Sequence, residues 1–98
     1  MEPLEKISLV EGGIEREIHP KALKRALFGF FGRGEKYVPK MEAYCLLVRK
    51  GLIGSTIKAK RLLDFLEGRK LSYGLNSLLI IENSGEHYKV GVWLEEEW

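Results

Sequence analysis

Residues 78–94 read LLIIENSGEHYKVGVWL, and this stretch decides the class of fold. Its first four residues, Leu78 to Ile81, are all apolar. After a polar turn at 82–86, apolar side chains recur at every second position up to Leu94. An apolar run, a glycine-containing turn and a period of two together predict an antiparallel β-hairpin with one buried face.

A second hairpin is predicted near the beginning of the chain, within residues 6–18. Two short apolar stretches flank Gly12 and Gly13, and paired glycines accept the positive φ angles that a tight hairpin turn requires. One arrangement joins both hairpins in a single antiparallel sheet that packs against helices.

Three helices are predicted between the hairpins. Pro20 suits the first position of a helix over about 20–31. Pro39 opens a second helix that ends near Lys50, and Ser55 or Thr56 caps a third over about 56–67. The expected fold is therefore α+β in one domain spanning residues 1–98: an N-terminal β-hairpin, three central helices and a C-terminal β-hairpin. The order of three helices followed by a hairpin is similar to a winged-helix module.

Composition narrows the class of protein. The chain has 98 residues, 45% of them apolar and 31% charged, which is enough for one modest core. No apolar run approaches the roughly 20 residues of a membrane span, and the first six residues lack the order of a signal peptide. We therefore expect a cytoplasmic protein. Glutamine is absent while Lys and Glu abound, a bias in the direction of hyperthermophile proteins.

No group of residues predicts catalysis or metal binding. Cys45 is the single cysteine and lies in the most apolar helix, where we expect it to be buried and inert. Ser84, Glu86 and His87 could form a catalytic set only within a turn too flexible to hold them in place. The sequence thus predicts a non-enzymatic protein with no catalytic residues, no metal and no cofactor.

Charge is distributed unevenly along the chain. Residues 1–18 carry two basic and five acidic side chains, residues 19–70 carry thirteen and four, and residues 71–98 carry one and five. The middle segment is therefore +9 between flanks of −3 and −4. Such a segment either meets the phosphates of a partner or is neutralised by the acidic flanks of its own fold.

The first functional hypothesis is a small nucleic-acid-binding module that uses a basic helical face. In a winged-helix module the third helix enters the DNA major groove and the hairpin lies beside it on the backbone. Acidic residues at the hairpin tip, Glu82 and Glu86, count against this docking. Whether DNA or RNA is bound stays open. The candidate residues are Lys21, Lys24, Arg25, Lys58, Lys60 and Arg61.

The alternative hypothesis is a protein-interaction or homodimeric accessory protein with no nucleic-acid role. Trp93 and Trp98 are the candidate interface residues, because tryptophan is enriched at interface centres. Phe28 is also expected to be exposed. The other aromatic residues are expected in the core between the helices, namely Phe30, Phe31, Tyr44 and Phe65.

Residues 42–53 read EAYCLLVRKGLI. This stretch of about a dozen residues resembles the Glu-Ala, Leu-Leu, Gly pattern in the N-terminal domain of archaeal tRNA-splicing endonucleases. The resemblance implies a non-catalytic module that associates with RNA or dimerises. The catalytic residues of that family have no assignable counterparts in this chain.

Overall fold

The computed structural model describes residues 3–30 and 32–94. The elements confirm the predicted α+β class, with strand hairpins and three helices. In chain order they are β1 (Ile7–Glu11), β2 (Ile14–Ile18), α1 (Pro20–Leu27), β3 (Gly34–Pro39), α2 (Lys40–Arg49), α3 (Thr56–Leu66), β4 (Lys70–Gly74), β5 (Ser77–Ser84) and β6 (His87–Leu94).

Both predicted hairpins are present, but they do not share a sheet. β1 and β2 form a two-stranded sheet whose turn places Gly12 and Gly13 at φ +55° and +81°. β5 and β6 belong to a separate four-stranded antiparallel sheet in the order β3-β6-β5-β4. A single bridge joins Leu4 to this second sheet, where its N–H donates to Lys70 O (3.0 Å) and its carbonyl accepts from Ser72 N (2.7 Å).

Strand β3 is an element beyond the two hairpins and three helices that the sequence predicts. It pairs with β6 from Gly34 opposite Val92 to Pro39 opposite His87, and so reaches the tip of the β5–β6 hairpin. The hairpin therefore lies inside the sheet and does not project from it. This position differs from that of the free wing in the winged-helix interpretation.

The core lies between the three helices and one face of the four-stranded sheet. Strands β5 and β6 contribute side chains from alternate positions, as expected for a half-buried sheet, while β3 and β4 each contribute one buried side chain. Leucines on the helices meet these side chains from above. Fully buried members include Leu23, Leu47, Leu63, Leu71, Leu79, Ile81, Tyr88, Val90 and Val92. No helix within the described residues is long and apolar enough to cross a membrane.

The helices differ from their predicted bounds and burial in several places. α1 ends at Leu27, because Gly29 takes φ +112° and turns the chain away, so Phe30 is 62% exposed instead of buried. α2 begins at Lys40 after Pro39 and buries only one side, which leaves Cys45 exposed. The expected burial of Cys45 is wrong because neighbouring elements cover the opposite side of α2. The predicted cap of α3 is confirmed at Ser55, whose hydroxyl accepts from Lys58 N at 3.2 Å.

Candidate nucleic-acid interface

A groove of about 560 Å³ separates strand β1 from helix α3. We call it the β1–α3 groove and define it by its lining, which includes side chains from β1, from α3 and from the loop before α3. These lining residues are Leu4, Lys6, Ile7, Ser8, Leu9, Val10, Ile53, Lys58, Arg61, Leu62, Phe65 and Leu66.

Strand β1 contributes its edge to the groove. Five consecutive residues, from Lys6 to Val10, line it, whereas one face of a strand would supply only every second residue. Within the described residues β1 pairs with β2 alone. Half of the backbone N–H and C=O groups of such a strand point away from its partner. The β1 edge therefore presents main-chain donors and acceptors toward α3.

Helix α3 contributes a stripe of basic and aromatic side chains. Lys58, Arg61 and Phe65 are spaced by three and four residues, which places them on one side of a helix. The stripe lies beside the buried row that includes Leu62 and Leu66. The floor of the groove is consequently apolar, and the two cations lie along its helical rim. On the opposite rim, Lys6 forms an ion pair with Glu17 at 3.4 Å.

An arginine lies over one face of Phe65, the exposed aromatic ring of the groove. Phe65 is 54% exposed, although the sequence predicts it in the core. The guanidinium of Arg69 lies 4.5 Å from the centre of the Phe65 ring, and its Nε donates to Phe65 O at 2.9 Å. This hydrogen bond holds the guanidinium over the ring in a cation–π contact.

Lys60 lies on a different side of α3 from Lys58 and Arg61. Its ammonium donates to Asp64 Oδ2 at 2.9 Å, and Asp64 Oδ1 accepts from the Tyr88 hydroxyl at 3.0 Å. Since Tyr88 donates its only proton there, its oxygen accepts from the Tyr44 hydroxyl at 2.9 Å. We call these four residues the Tyr–Asp network. It connects α2, α3 and β6.

The electrostatics of the Tyr–Asp network follow from its hydrogen bonds. Donation from Lys60 lowers the pKa of Asp64, and the Tyr88 hydrogen bond lowers it further against the opposing effect of burial. The same contact with Asp64 raises the pKa of Lys60. Burial, followed by the hydrogen bonds of Tyr44 and Asp64, raises the pKa of Tyr88 well above its usual range. The network therefore holds Asp64 ionised and Tyr88 protonated at neutral pH.

The basic residues of α1 do not join those of α3 in one recess. Lys21 lines a hollow beside the β4–β5 turn, and Arg25 lines another against β3, where its guanidinium lies 4.6 Å from the Phe30 ring centre. Lys58 and Arg61 line the β1–α3 groove instead. The candidate residues are thus distributed over three recesses.

The predicted exposure of Lys24 is wrong. Its side chain is 6% exposed, because α1 packs against both β4 and α2. The ammonium donates to Phe30 O at 2.6 Å and lies 5.8 Å from the Tyr73 ring centre. Burial, with a smaller effect of Arg25, lowers the pKa of Lys24. This lysine supports the chain after α1 and faces the protein interior.

Of the two candidate interface tryptophans, Trp93 lies within the described residues and Trp98 does not. Trp93 lies on the sheet face opposite the helices, and its indole crosses Gly91, where an added Cβ would be 2.7 Å from the indole Nε1. Trp93, a candidate for exposure, is partly exposed. Trp98 and Phe31 lie outside the described residues. Phe28, also predicted to be exposed, is partly buried against the core.

The sequence does not predict two residues of the groove. It predicts Phe65 in the core with other aromatic residues, although helical spacing places Phe65 in line with Lys58 and Arg61. Lys6 lies in the acidic first segment of the chain, so charge segmentation alone did not associate it with α3. Helical spacing could have identified Phe65, whereas the approach of β1 to α3 is a tertiary feature.

Histidine, cysteine and acidic side chains do not converge in groups of three or more as metal ligands would, within residues 3–30 and 32–94. Comparisons with protein-family models, with curated proteins and with solved structures give no match for this chain.

Proposed function

We propose that this protein is a small nucleic-acid-binding module that contacts phosphates along the helical rim of the β1–α3 groove. The observation that carries the proposal is the α3 stripe, in which Lys58 and Arg61 are aligned with the exposed ring of Phe65. Basic side chains interleaved with exposed aromatic rings are typical of nucleic-acid surfaces. The +9 charge of residues 19–70 supports the same function, since phosphates favour a local excess of cations.

The proposal assigns this role to the cations that line the β1–α3 groove. Lys58 and Arg61 remain, and Lys6 joins them from the opposite rim. Lys24 is buried, and Lys60 lies on a different side of α3, outside the groove lining. Lys21 and Arg25 line other recesses and would add only longer-range attraction.

Fluorescence anisotropy with labelled RNA and DNA at two salt concentrations tests the proposal. We expect binding that weakens with salt, with a logarithmic slope of about 0.7–0.9 for each phosphate contact. The double variant Lys58→Glu/Arg61→Glu should lose about tenfold or more in affinity, because two attractive phosphate contacts become repulsive.

The matched control is Lys36→Glu/Lys50→Glu, which changes the net charge equally at exposed positions outside the groove lining. Its affinity should fall less than that of the groove variant, and circular dichroism should report an intact fold for both. Equal losses would refute the localisation, and an absence of binding at low salt would refute the function.

A second candidate function is homodimerisation through the sheet face opposite the helices. There Tyr37 on β3 is exposed and Trp93 on β6 is partly exposed. Light scattering at increasing protein concentration tests this candidate: a dimer that Tyr37→Lys or Trp93→Ala converts to a monomer would support it. A wild-type protein that stays monomeric would refute it.

A further inference from the structure

The placement of the basic α3 stripe restricts which form of nucleic acid can reach it. A helix that reads duplex DNA enters the major groove, which is about 12 Å wide, as a protruding element. Here β1 runs along the same side of α3, since Lys6 to Val10 and Lys58 with Arg61 line one recess. The stripe is therefore a wall of a groove and not a protruding surface. A groove of this kind suits a single strand, whereas reading of duplex DNA calls for a helix that protrudes into the major groove.

The floor of the groove suits bases better than phosphates. It is built from Ile7, Ile53, Leu62 and Leu66, which are all buried. Phosphates need cations or hydrogen-bond donors, and these lie on the rims. Sequence-tolerant binding of single strands combines a basic track for the backbone with apolar or aromatic contacts for unstacked bases.

Phe65 provides a defined stacking position at the end of the basic stripe. Its ring is more than half exposed, and Arg69 lies over one of its two faces, so a base would stack on the other. A base that stacks on this ring would be aligned with two cations. Arg61 lies four residues before Phe65 in the helix, and Lys58 lies three residues before Arg61. Stacking on aromatic side chains accepts any base, because every base has a π face.

The β1 edge offers the hydrogen bonds that the apolar floor lacks. Its outward backbone N–H and C=O groups face α3 across the groove. Unpaired bases present donors and acceptors on their Watson–Crick edges, which such main-chain groups can meet. Rim, floor and strand edge thus each correspond to one part of a nucleotide.

We propose that the ligand of the β1–α3 groove is single-stranded nucleic acid, with one base stacked on Phe65 and its phosphates along Lys58 and Arg61. This inference rests on the proposed function and adds the class of ligand to it. An extended acidic peptide is the competing occupant, since a strand edge beside a helix also accepts peptides. The exposed Phe65–Arg69 pair favours the nucleic acid, because it supplies a stacking platform that an acidic peptide does not require.

The test compares four labelled ligands of equal length, about 12 nucleotides, within the usual range of site sizes. They are single-stranded RNA, single-stranded DNA, a DNA duplex, and an abasic strand that keeps the phosphates without the bases. We expect either single strand to bind at least about tenfold more tightly than the duplex and the abasic strand. The two single strands distinguish RNA from DNA.

Two substitutions at one position isolate stacking. Phe65→Leu should weaken single-strand binding about 5- to 100-fold with an unchanged salt slope, because it removes a ring and no charge. Phe65→Tyr keeps the ring and should retain the affinity. Neither variant should alter binding of the abasic strand, a result that a general loss of structure would not give.

The outcomes separate the two proposals. Equal affinity for duplex and single strand, or no effect of Phe65→Leu, would overturn the single-strand inference while salt-dependent binding through Lys58 and Arg61 still stands. No binding of any nucleic acid would overturn both. In that case binding of a labelled peptide of alternating Glu and Leu, lost in Lys58→Glu/Arg61→Glu, would identify the competing occupant.

Discussion

The two sides of helix α3 carry similar basic residues that lie beside different groups. On one side, Lys60 and Asp64 belong to the Tyr–Asp network, which ends in the buried hydroxyls of Tyr88 and Tyr44. On the other side, Lys58 and Arg61 line an open groove with Phe65. The comparison teaches that neighbouring cations of one basic run can belong to different surfaces. Lys58, Lys60 and Arg61 are all exposed, but only Lys58 and Arg61 line the groove.

The largest expected effect is a difference in unfolding free energy between the core side and the groove side of α3. Leu63→Ala removes a fully buried side chain, which costs about 2–5 kcal/mol of unfolding free energy. Phe65→Ala, two positions on, should cost about 1 kcal/mol or less, since it loses mainly an exposed cation–π contact. Urea denaturation followed by circular dichroism measures both. Comparable losses would mean that the groove side is part of the core.

Removing the hydroxyl of Tyr88 should break the Tyr–Asp network at its centre. Tyr88→Phe leaves both the Tyr44 hydroxyl and Asp64 Oδ1 without this partner, and we expect a loss of about 1–3 kcal/mol in unfolding free energy. Tyr44→Phe should cost less, about 0.5–1.5 kcal/mol, because Tyr88 still donates to Asp64. The order of the two midpoints in urea checks whether Tyr88 is the centre of the network. If Tyr44→Phe is the more damaging, Tyr88 does not have that position.

Neutralising one lysine on each side of α3 sharpens the functional comparison. Lys58→Gln should reduce nucleic-acid affinity several-fold and lower the salt slope by about 0.7–0.9, the value of one phosphate contact. Lys60→Gln should leave both nearly unchanged, because Lys60 lies outside the groove lining, on a different side of α3. Anisotropy titrations under identical salt conditions measure the pair. Equal effects would show that only the total charge matters.

The smallest expected effect is a pH dependence that originates in the Tyr–Asp network. The pKa of Asp64 is lower in the folded chain than its ordinary value, chiefly through the Lys60 hydrogen bond. Its stabilisation is therefore complete above about pH 4 and is lost as pH falls through the folded-state pKa. Because the carboxylate is partly exposed, we expect less than about 1 kcal/mol. Asp64→Asn should flatten the decline in thermal stability below pH 4, and an unchanged slope would contradict this origin.

Local sequence patterns could predict the α+β class, both hairpins and the Ser55 cap. Each depends on neighbours within a few residues: the paired glycines at 12–13, the alternation before Leu94, and a serine before an apolar helical run. Strand β3 could not be predicted in this way. The segment GEKYVP has only one buried apolar side chain, Val38, and it is a strand because β6 pairs with it about 50 residues later in the chain.

The candidate groove was only half visible in the sequence. Lys58 and Arg61 could be identified from charge and helical spacing. The role of β1 could not, because nothing in the acidic first segment indicates that it lies along α3. The predicted exposure of Lys24 is wrong for a related reason. Its spacing places it opposite the apolar row of α1, but β4 covers that side as well and directs the ammonium to Phe30 O.

The bridge between Leu4 and strand β4 also affects the order in which parts of the chain can fold. Leu4 leaves the ribosome more than 60 residues ahead of its hydrogen-bond partners, Lys70 and Ser72. Contacts between such distant positions form late, since the intervening chain must be ordered first. The N-terminal hairpin can turn on itself early in synthesis, but it is tethered to the four-stranded sheet only after β4 has emerged. A nascent chain interrupted before residue 70 would therefore carry α3 without this anchor for β1.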